Sequence, residues 1–223
     1  MLVRPGSGCI IQGVRKARLT WLVGLLCASA PSLFQQDRLP AADPDRGNDA
    51  RAIYSWLITH STGQDPLYLI APETYQTDYP SEGCLHVPPD HAADFRQIRD
   101  EFDRSKNAIR FAPGTILYFT ARTVPSFFST TKPYVILQPS VAKEIMLHSA
   151  RLSDSPVVRE SYPGAEHLLV FSDVFFNRKG TVALVNIDSW CGGLCGTSRW
   201  IAFEKGKEGG WEMRPWATCL AVA

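Results

Sequence analysis

The segment from Ser189 to Trp200, SWCGGLCGTSRW, holds the residues best suited by type and spacing to do chemistry. Cys191 and Cys195 stand with three residues between them, among three glycines and between Trp190 and Trp200. Three chemistries suit such a pair. A redox couple or thiol nucleophile needs a depressed thiol pKa, and redox couples obtain it with two intervening residues at a helix N-terminus, where free amides favour the thiolate. This pair has three, and no βαβ pattern surrounds it. Half of a zinc site, completed by Cys84 and Cys219, would lack the second short spacing that structural zinc centres normally show. A disulfide staple fits best, because Gly192, Gly193 and Gly196 let the backbone turn tightly enough to bring the sulfurs into bonding range. The staple is the favoured reading, and a thiol-dependent enzyme or redox protein using Cys191 or Cys195 is its rival.

Other chemical groups are sparse. His86 and His91 bracket Val87, Pro88, Pro89 and Asp90, with Asp94 close behind. Four such groups in nine residues suggest a metal site, but the prolines impose an extended and then helical path that spreads them. A solvated loop and a helix cap at Asp90 are expected instead. His60 and His148 fall at expected helix ends, where a cation suits the dipole, and His167 opens a strand. The chain contains no G-x-S-x-G, H-E-x-x-H, Walker loop or G-x-G-x-x-G. The sequence assigns no catalytic residue, metal ligand or cofactor. Trp190 and Trp200 flank the cysteine loop, either covering strand ends or forming an aromatic contact surface on a rigid tip.

The balance of residues narrows the classes further. A net charge of +1 gives no basic footprint for nucleic acid. No run approaches the roughly 18 apolar residues of a membrane span. Arg4, Arg15, Lys16 and Arg18 precede LTWLVGLLCASA, and no acid occurs before Asp37. A basic region, a short apolar core and the small-x-small Ala28-Ser29-Ala30 are the parts of a secretory signal peptide. Two features depart from that pattern: Pro31 directly follows the cut, and the basic region is long. Cys27 offers a lipid-anchor alternative, which the bulk of Leu26 opposes. Residues 1–30 are therefore expected to be a leader and 31–48 a flexible mature N-terminus, with a single α+β domain over 49–223. Cleavage after Ala30 leaves 193 residues and four cysteines, Cys84, Cys191, Cys195 and Cys219. An even count in an exported chain favours disulfides. Proximity pairs Cys191 with Cys195, which leaves Cys84 and Cys219 as a second bridge or as two free thiols.

The elements that must position these groups follow from periodicity. A helix is expected from Asn48 or Asp49, with Ile53, Trp56, Leu57 and His60 at helical spacing. PLYLIAPET, TILYFTA and PYVILQ read as strands. In ADFRQIRDEFDRSKN, Phe95, Ile98 and Phe102 share one helical face, and VAKEIMLH reads as a short helix. LLVFSDVFF, TVALVNID, SRWIAFEK and WEMRPWATC read as four strands joined by short turns, with Pro215 marking an edge or a bulge. The expected fold is α+β: helices packed on one face of an antiparallel β-meander sheet, the last four strands around a disulfide-stapled loop.

FSDVFFNRKGTVALV, CGGLCG, IAFEKG and GGWEM together resemble the C-terminal pattern of a family of uncharacterised exported bacterial proteins. The likeness covers Val170 to about Trp216 well and the rest loosely. It implies architecture and export, and no reaction. The expectation is an exported protein of the periplasm, envelope or secreted fraction, acting as a non-enzymatic binding or accessory module. Its partner would be an unknown protein or envelope component, the chain a monomer, and the contact surface the loop between Trp190 and Trp200. A third class is a small-molecule carrier, with Phe95, Ile98 and Phe102 lining a cavity.

Overall fold

The computed structural model describes residues 44–61, 66–81, 83–106, 110–111, 118–148, 151–192 and 195–222. The expected leader and residues 31–43 of the expected flexible segment lie outside the described residues. Residues 44–48 do not continue that segment. The first helix, α1, already spans Pro44–Thr59, because proline at the first turn has its φ preset and no amide to leave unbonded. The elements that follow are β1 (Tyr68–Ile70), β2 (Glu73–Gln76), α2 (Ala92–Ser105), β3 (Arg110–Phe111), β4 (Tyr118–Thr123), β5 (Tyr134–Ile136), α3 (Pro139–His148) and α4 (Pro156–Ser161). The chain ends with β6 (Leu168–Phe171), β7 (Phe175–Phe176), β8 (Val182–Gly192), β9 (Cys195–Lys205) and β10 (Trp211–Val222).

The fold is helices with a large, mostly strand sheet, and that sheet is mixed. Its order is β10-β9-β8-β6-β1-β5, with β7 also on β8, while β2, β4 and β3 make a separate three-stranded sheet. The pairs from β6 to β10 are antiparallel, but β1 lies parallel to both β5 and β6. This corrects the purely antiparallel expectation. Tyr68, Leu69 and Ile70 are all buried, which suits a strand covered on both faces inside a parallel group. The return from β5 to β6 is the helical crossover that parallel strands require, made by α3 and α4.

The helices also cover both faces rather than one. Side chains alternate along a strand, so β8 sorts its neighbours cleanly. Ala183 and Val185 join Ile53, Tyr54, Leu57 and Ile58 of α1, with Ile70, Phe171 and Phe203 from other strands. Val182 and Leu184 face the other way, against Phe95, Ile98 and Phe102 of α2, with Ala202 and Trp200. Further along that second face, Leu69, Leu168 and Val170 pack under Ala142, Ile145 and Val158 of α3 and α4. The second face thus carries two apolar clusters, and β8 crosses the boundary between them.

Two local departures shape that boundary. LLVFSDVFF is broken into β6 and β7 at Ser172, Asp173 and Val174. There the Ser172 amide donates to the Asn186 carbonyl, and the Asn186 amide donates to Ser172 Oγ at 2.8 Å. At the edge of the sheet, β10 shifts register between Arg214 and Thr218, around the proline that cannot donate to the ladder.

Candidate functional site

The expected Cys191–Cys195 disulfide is present, and of the two alternatives for Cys84 and Cys219 the structure has the second bridge. Cys191 pairs with Cys195 across 5.3 Å between Cα atoms, and Cys84 with Cys219 across 5.2 Å. The short bridge does not sit in an open loop. The cysteines belong to β8 and β9 themselves, with only residues 193 and 194 between the strands, outside the described residues. The pairs Trp190↔Gly196 and Gly192↔Cys195 leave Cys191 as an extra residue on β8, which is a β-bulge. Gly192, at φ 146°, supplies backbone that L side chains rarely adopt. A Cβ on Gly196 would meet the Ser189 carbonyl oxygen at 3.2 Å. The glycines therefore let two strands approach closely through a bulge that the disulfide clamps.

That bulge decides what stands opposite Asp188. A straight count back from Gly192↔Cys195 would set Arg199 across from Asp188. The extra residue slips the register by one, so Ser198 pairs with Asp188, and Arg199 pairs with Ile187 on the other face. Asp188 also lies beside Val170 of β6. It stands on the second sheet face, next to Asn186, where the two apolar clusters part.

The surrounding groups are neutral and polar. Asn186 is fully buried and Tyr75 is 1% exposed. The Tyr75 hydroxyl donates to Asn186 Oδ1, and Asn186 Nδ2 donates to Ser198 Oγ at 3.0 Å. Asp188 Oδ1 is buried and, among the described residues, accepts no hydrogen bond. Burial raises the Asp188 pKa above its usual value, and the nearby Ser198 and Tyr75 hydroxyls only partly counter it. Burial, reinforced by the Asp188 charge, likewise holds the Tyr75 phenol well above its ordinary value.

The disulfides frame this cluster. Cys219 pairs with Trp200 on β9, two residues or about 7 Å beyond Ser198, and Cys195 lies three residues or about 10 Å before it. Through Cys84 the longer bridge also pins the segment holding Tyr79, Leu85 and Val87 against the α2 cluster. On the opposite side Arg151 forms an isolated bridge with Gly192.

The remaining expected residues are dispersed. Trp200 is 5% exposed and packs with Phe102, Phe175 and Tyr79, so it belongs to the core and presents no contact surface. Trp190 is half-buried on the same sheet face as Asp188. Phe95, Ile98 and Phe102 are buried against strand side chains. Asp90 makes no cap: His91 occupies the position before α2 and no side chain caps it. His91 stacks on Trp216 at 5.0 Å and stands 3.6 Å from Asp94, while His86 is exposed. Among the described residues no group of three His, Cys, Asp or Glu side chains could hold a metal ion, and no helix is long and apolar enough to cross a membrane. His60, just past α1, stacks on Trp56 at 4.0 Å. Those two side chains, with Arg51 and Thr59, line an open groove of about 450 Å³ along the outer side of α1.

Sequence reasoning does not single out the Asp188–Ser198 pair. Its one signal is the appearance of Asn186 and Asp188 at alternate positions of an otherwise apolar strand. No family model, curated protein or solved structure matches the chain.

Proposed function

We propose that this chain is an exported, disulfide-braced binding or accessory module that works without catalysis. Its contact region is the Cys191–Cys195 end of the β8–β9 hairpin, with Trp190 at its rim and the Asp188 cluster behind it. The observation that carries this reading is the position of the two disulfides on either side of one polar cluster. Bridges suit an oxidising compartment, and a site held by covalent clamps and strands is preorganised for binding. The basic, then apolar, then small-residue N-terminus and the resemblance to exported bacterial proteins support the same destination. A thiol enzyme would need a free sulfur at Cys191 or Cys195, and these two are bonded to each other.

Peptide mapping without reductant, on protein recovered from an exporting host, tests the first part. A mature start at Pro31 with Cys191 linked to Cys195 and Cys84 to Cys219 is expected. An uncleaved chain with alkylatable cysteines would overturn it. Crosslinking in envelope extracts tests the second part: Trp190→Ala should abolish a specific adduct while leaving the melting temperature within a few degrees. An adduct that survives unchanged removes the hairpin end from the contact region.

A further inference from the structure

We infer that the Asp188 cluster is a binding site for a primary ammonium group, seated on the Asp188 carboxylate beside the Tyr75 and Ser198 hydroxyls. This names the ligand chemistry of the contact region proposed above and rests on that reading.

Four partly buried acids are each held by a cation of the chain itself, and among the described residues Asp188 has none. Asp49 is held by Lys205 at 3.0 Å, Glu101 by Arg46 at 3.0 Å, Asp173 by Arg122 at 3.1 Å and Glu204 by Arg214 at 2.8 Å. Asp94 takes Asn177 Nδ2 at 2.8 Å. Asp188 sits deeper than a surface acid, yet the groups that act on it are the Ser198 and Tyr75 hydroxyls, which hydrogen-bond its carboxyl, and among the described residues no cation joins them. Its Oδ1 is buried, and among the described residues no donor reaches it. A buried acceptor in that state costs more than a satisfied one, and a buried charge costs more still. A ligand that brings an N–H donor and a positive charge removes both penalties at once.

The fold keeps the internal cation away. Arg199 would face Asp188 if β8 and β9 paired without interruption, but the bulge at Cys191 turns Arg199 to the opposite face. The bulge is glycine-dependent and covalently clamped, so that separation is built in. The same clamp keeps the receptor groups fixed before a ligand arrives, which lowers the entropic penalty of binding.

The ligand's size and charge follow from the donor set. A divalent metal needs several anionic oxygens, and here one carboxylate is accompanied by neutral Ser198, Tyr75 and Asn186. An ammonium needs one carboxylate and a few neutral acceptors, each with a hydrogen to receive. Trp190, two positions along the same strand face, adds an aromatic surface of the kind that attracts cations. A lysine side chain or a small free amine carries the required group.

The test uses the full mature chain with both disulfides intact. Benzylammonium is titrated in an amide and indole NMR experiment, with benzyl alcohol as the uncharged counterpart. Saturable shifts at the Trp190 indole and the Ser198 and Gly196 amides are expected with the amine and not with the alcohol. Asp188→Asn should weaken amine binding at least tenfold, while Glu212→Gln, an exposed acid on β10, leaves it unchanged. Equal response to amine and alcohol overturns the ammonium assignment and leaves a general cleft. Undiminished amine binding in Asp188→Asn overturns it as well. Silence toward both ligands removes the site, and the export and crosslinking experiments then decide the module reading separately.

Discussion

The two faces of β8 are built to different rules. Toward α1, Ala183 and Val185 enter one apolar cluster that runs from Tyr68 on β1 to Trp211 on β10. Toward α2, α3 and α4, the same strand presents Leu184, then Asn186, then Asp188, then Trp190. The first face is continuous and needs no covalent aid. The second is interrupted by polar side chains, and there Cys84–Cys219 bridges the face on one side of the interruption while the Cys191–Cys195 clamp closes the strands on the other. A face that gives up apolar area for a polar site keeps its shape with covalent restraint. This is the pattern expected where stability has been traded for a site.

Breaking the longer restraint should separate the two faces most. Cys84→Ala with Cys219→Ala opens a bridge across 135 residues, and loop closure of that length corresponds to about 5 kcal/mol. Chemical denaturation should show that loss, and hydrogen exchange should show it first in the 83–106 segment rather than in α1. Equal loosening of α1 would mean that the faces are not independent. Phe171→Ala probes the continuous face, where the ring is fully buried against Tyr54 and Phe128. It should destabilise by about 3–5 kcal/mol and leave benzylammonium binding intact in the folded fraction. Cys191→Ala with Cys195→Ala removes a bridge of separation 4, worth about 2 kcal/mol by the same relation. Its larger consequence should be register: the amide signals of Asp188 and Ser198 should broaden or double.

The smallest effect is a gain. Because burial raises the folded-state pKa of Asp188, the folded chain holds its proton longer than the unfolded chain does. The stability this contributes is complete below about pH 3.9, the unfolded value. It is lost as pH rises through the folded-state value. Asp188→Asn should therefore raise the melting temperature by a few degrees at neutral pH and change little in acid below the unfolded value. Glu101 is raised by burial too, so the comparison is made between variant and parent at each pH. A uniform effect across pH would show that Asp188 matters through packing rather than charge.

Much of this is legible in the sequence, and the gaps have physical reasons. The buried face of α2 follows directly from the spacing of Phe95, Ile98 and Phe102, and the irregularity at Pro215 from its missing amide. The Cys191–Cys195 staple follows from the glycines around it. The direction of β1 does not, since three apolar residues carry no mark of parallel pairing. Nor does helix cover on both faces, because a strand as apolar as β8 looks the same under either arrangement. In α1 the spacing identifies Ile53 and Leu57 but misses Tyr54 and Ile58, while half-buried Trp56 turns partly outward. Trp200 draws attention by its position beside the cysteines, whereas its partner across the strands, Asn186, places it over the α2 cluster. The Asp188–Ser198 pair is hidden most deeply. It depends on a one-residue slip, and a strand count that ignores the bulge gives an ordinary Asp–Arg surface pair instead.

The nesting of the two bridges has a consequence for how the chain matures. Cys84 is the first of the four to emerge from any channel that delivers the N-terminus first, and its mate is the last. Cys191 and Cys195 arrive in between, so a thiol that reacts with its first available neighbour joins Cys84 to the wrong sulfur. Correct oxidation requires the hairpin to capture its own two cysteines before Cys84 finds them, or a disulfide exchange catalyst to undo the error. The glycine-bulged turn that shapes the site would then also set the order of assembly.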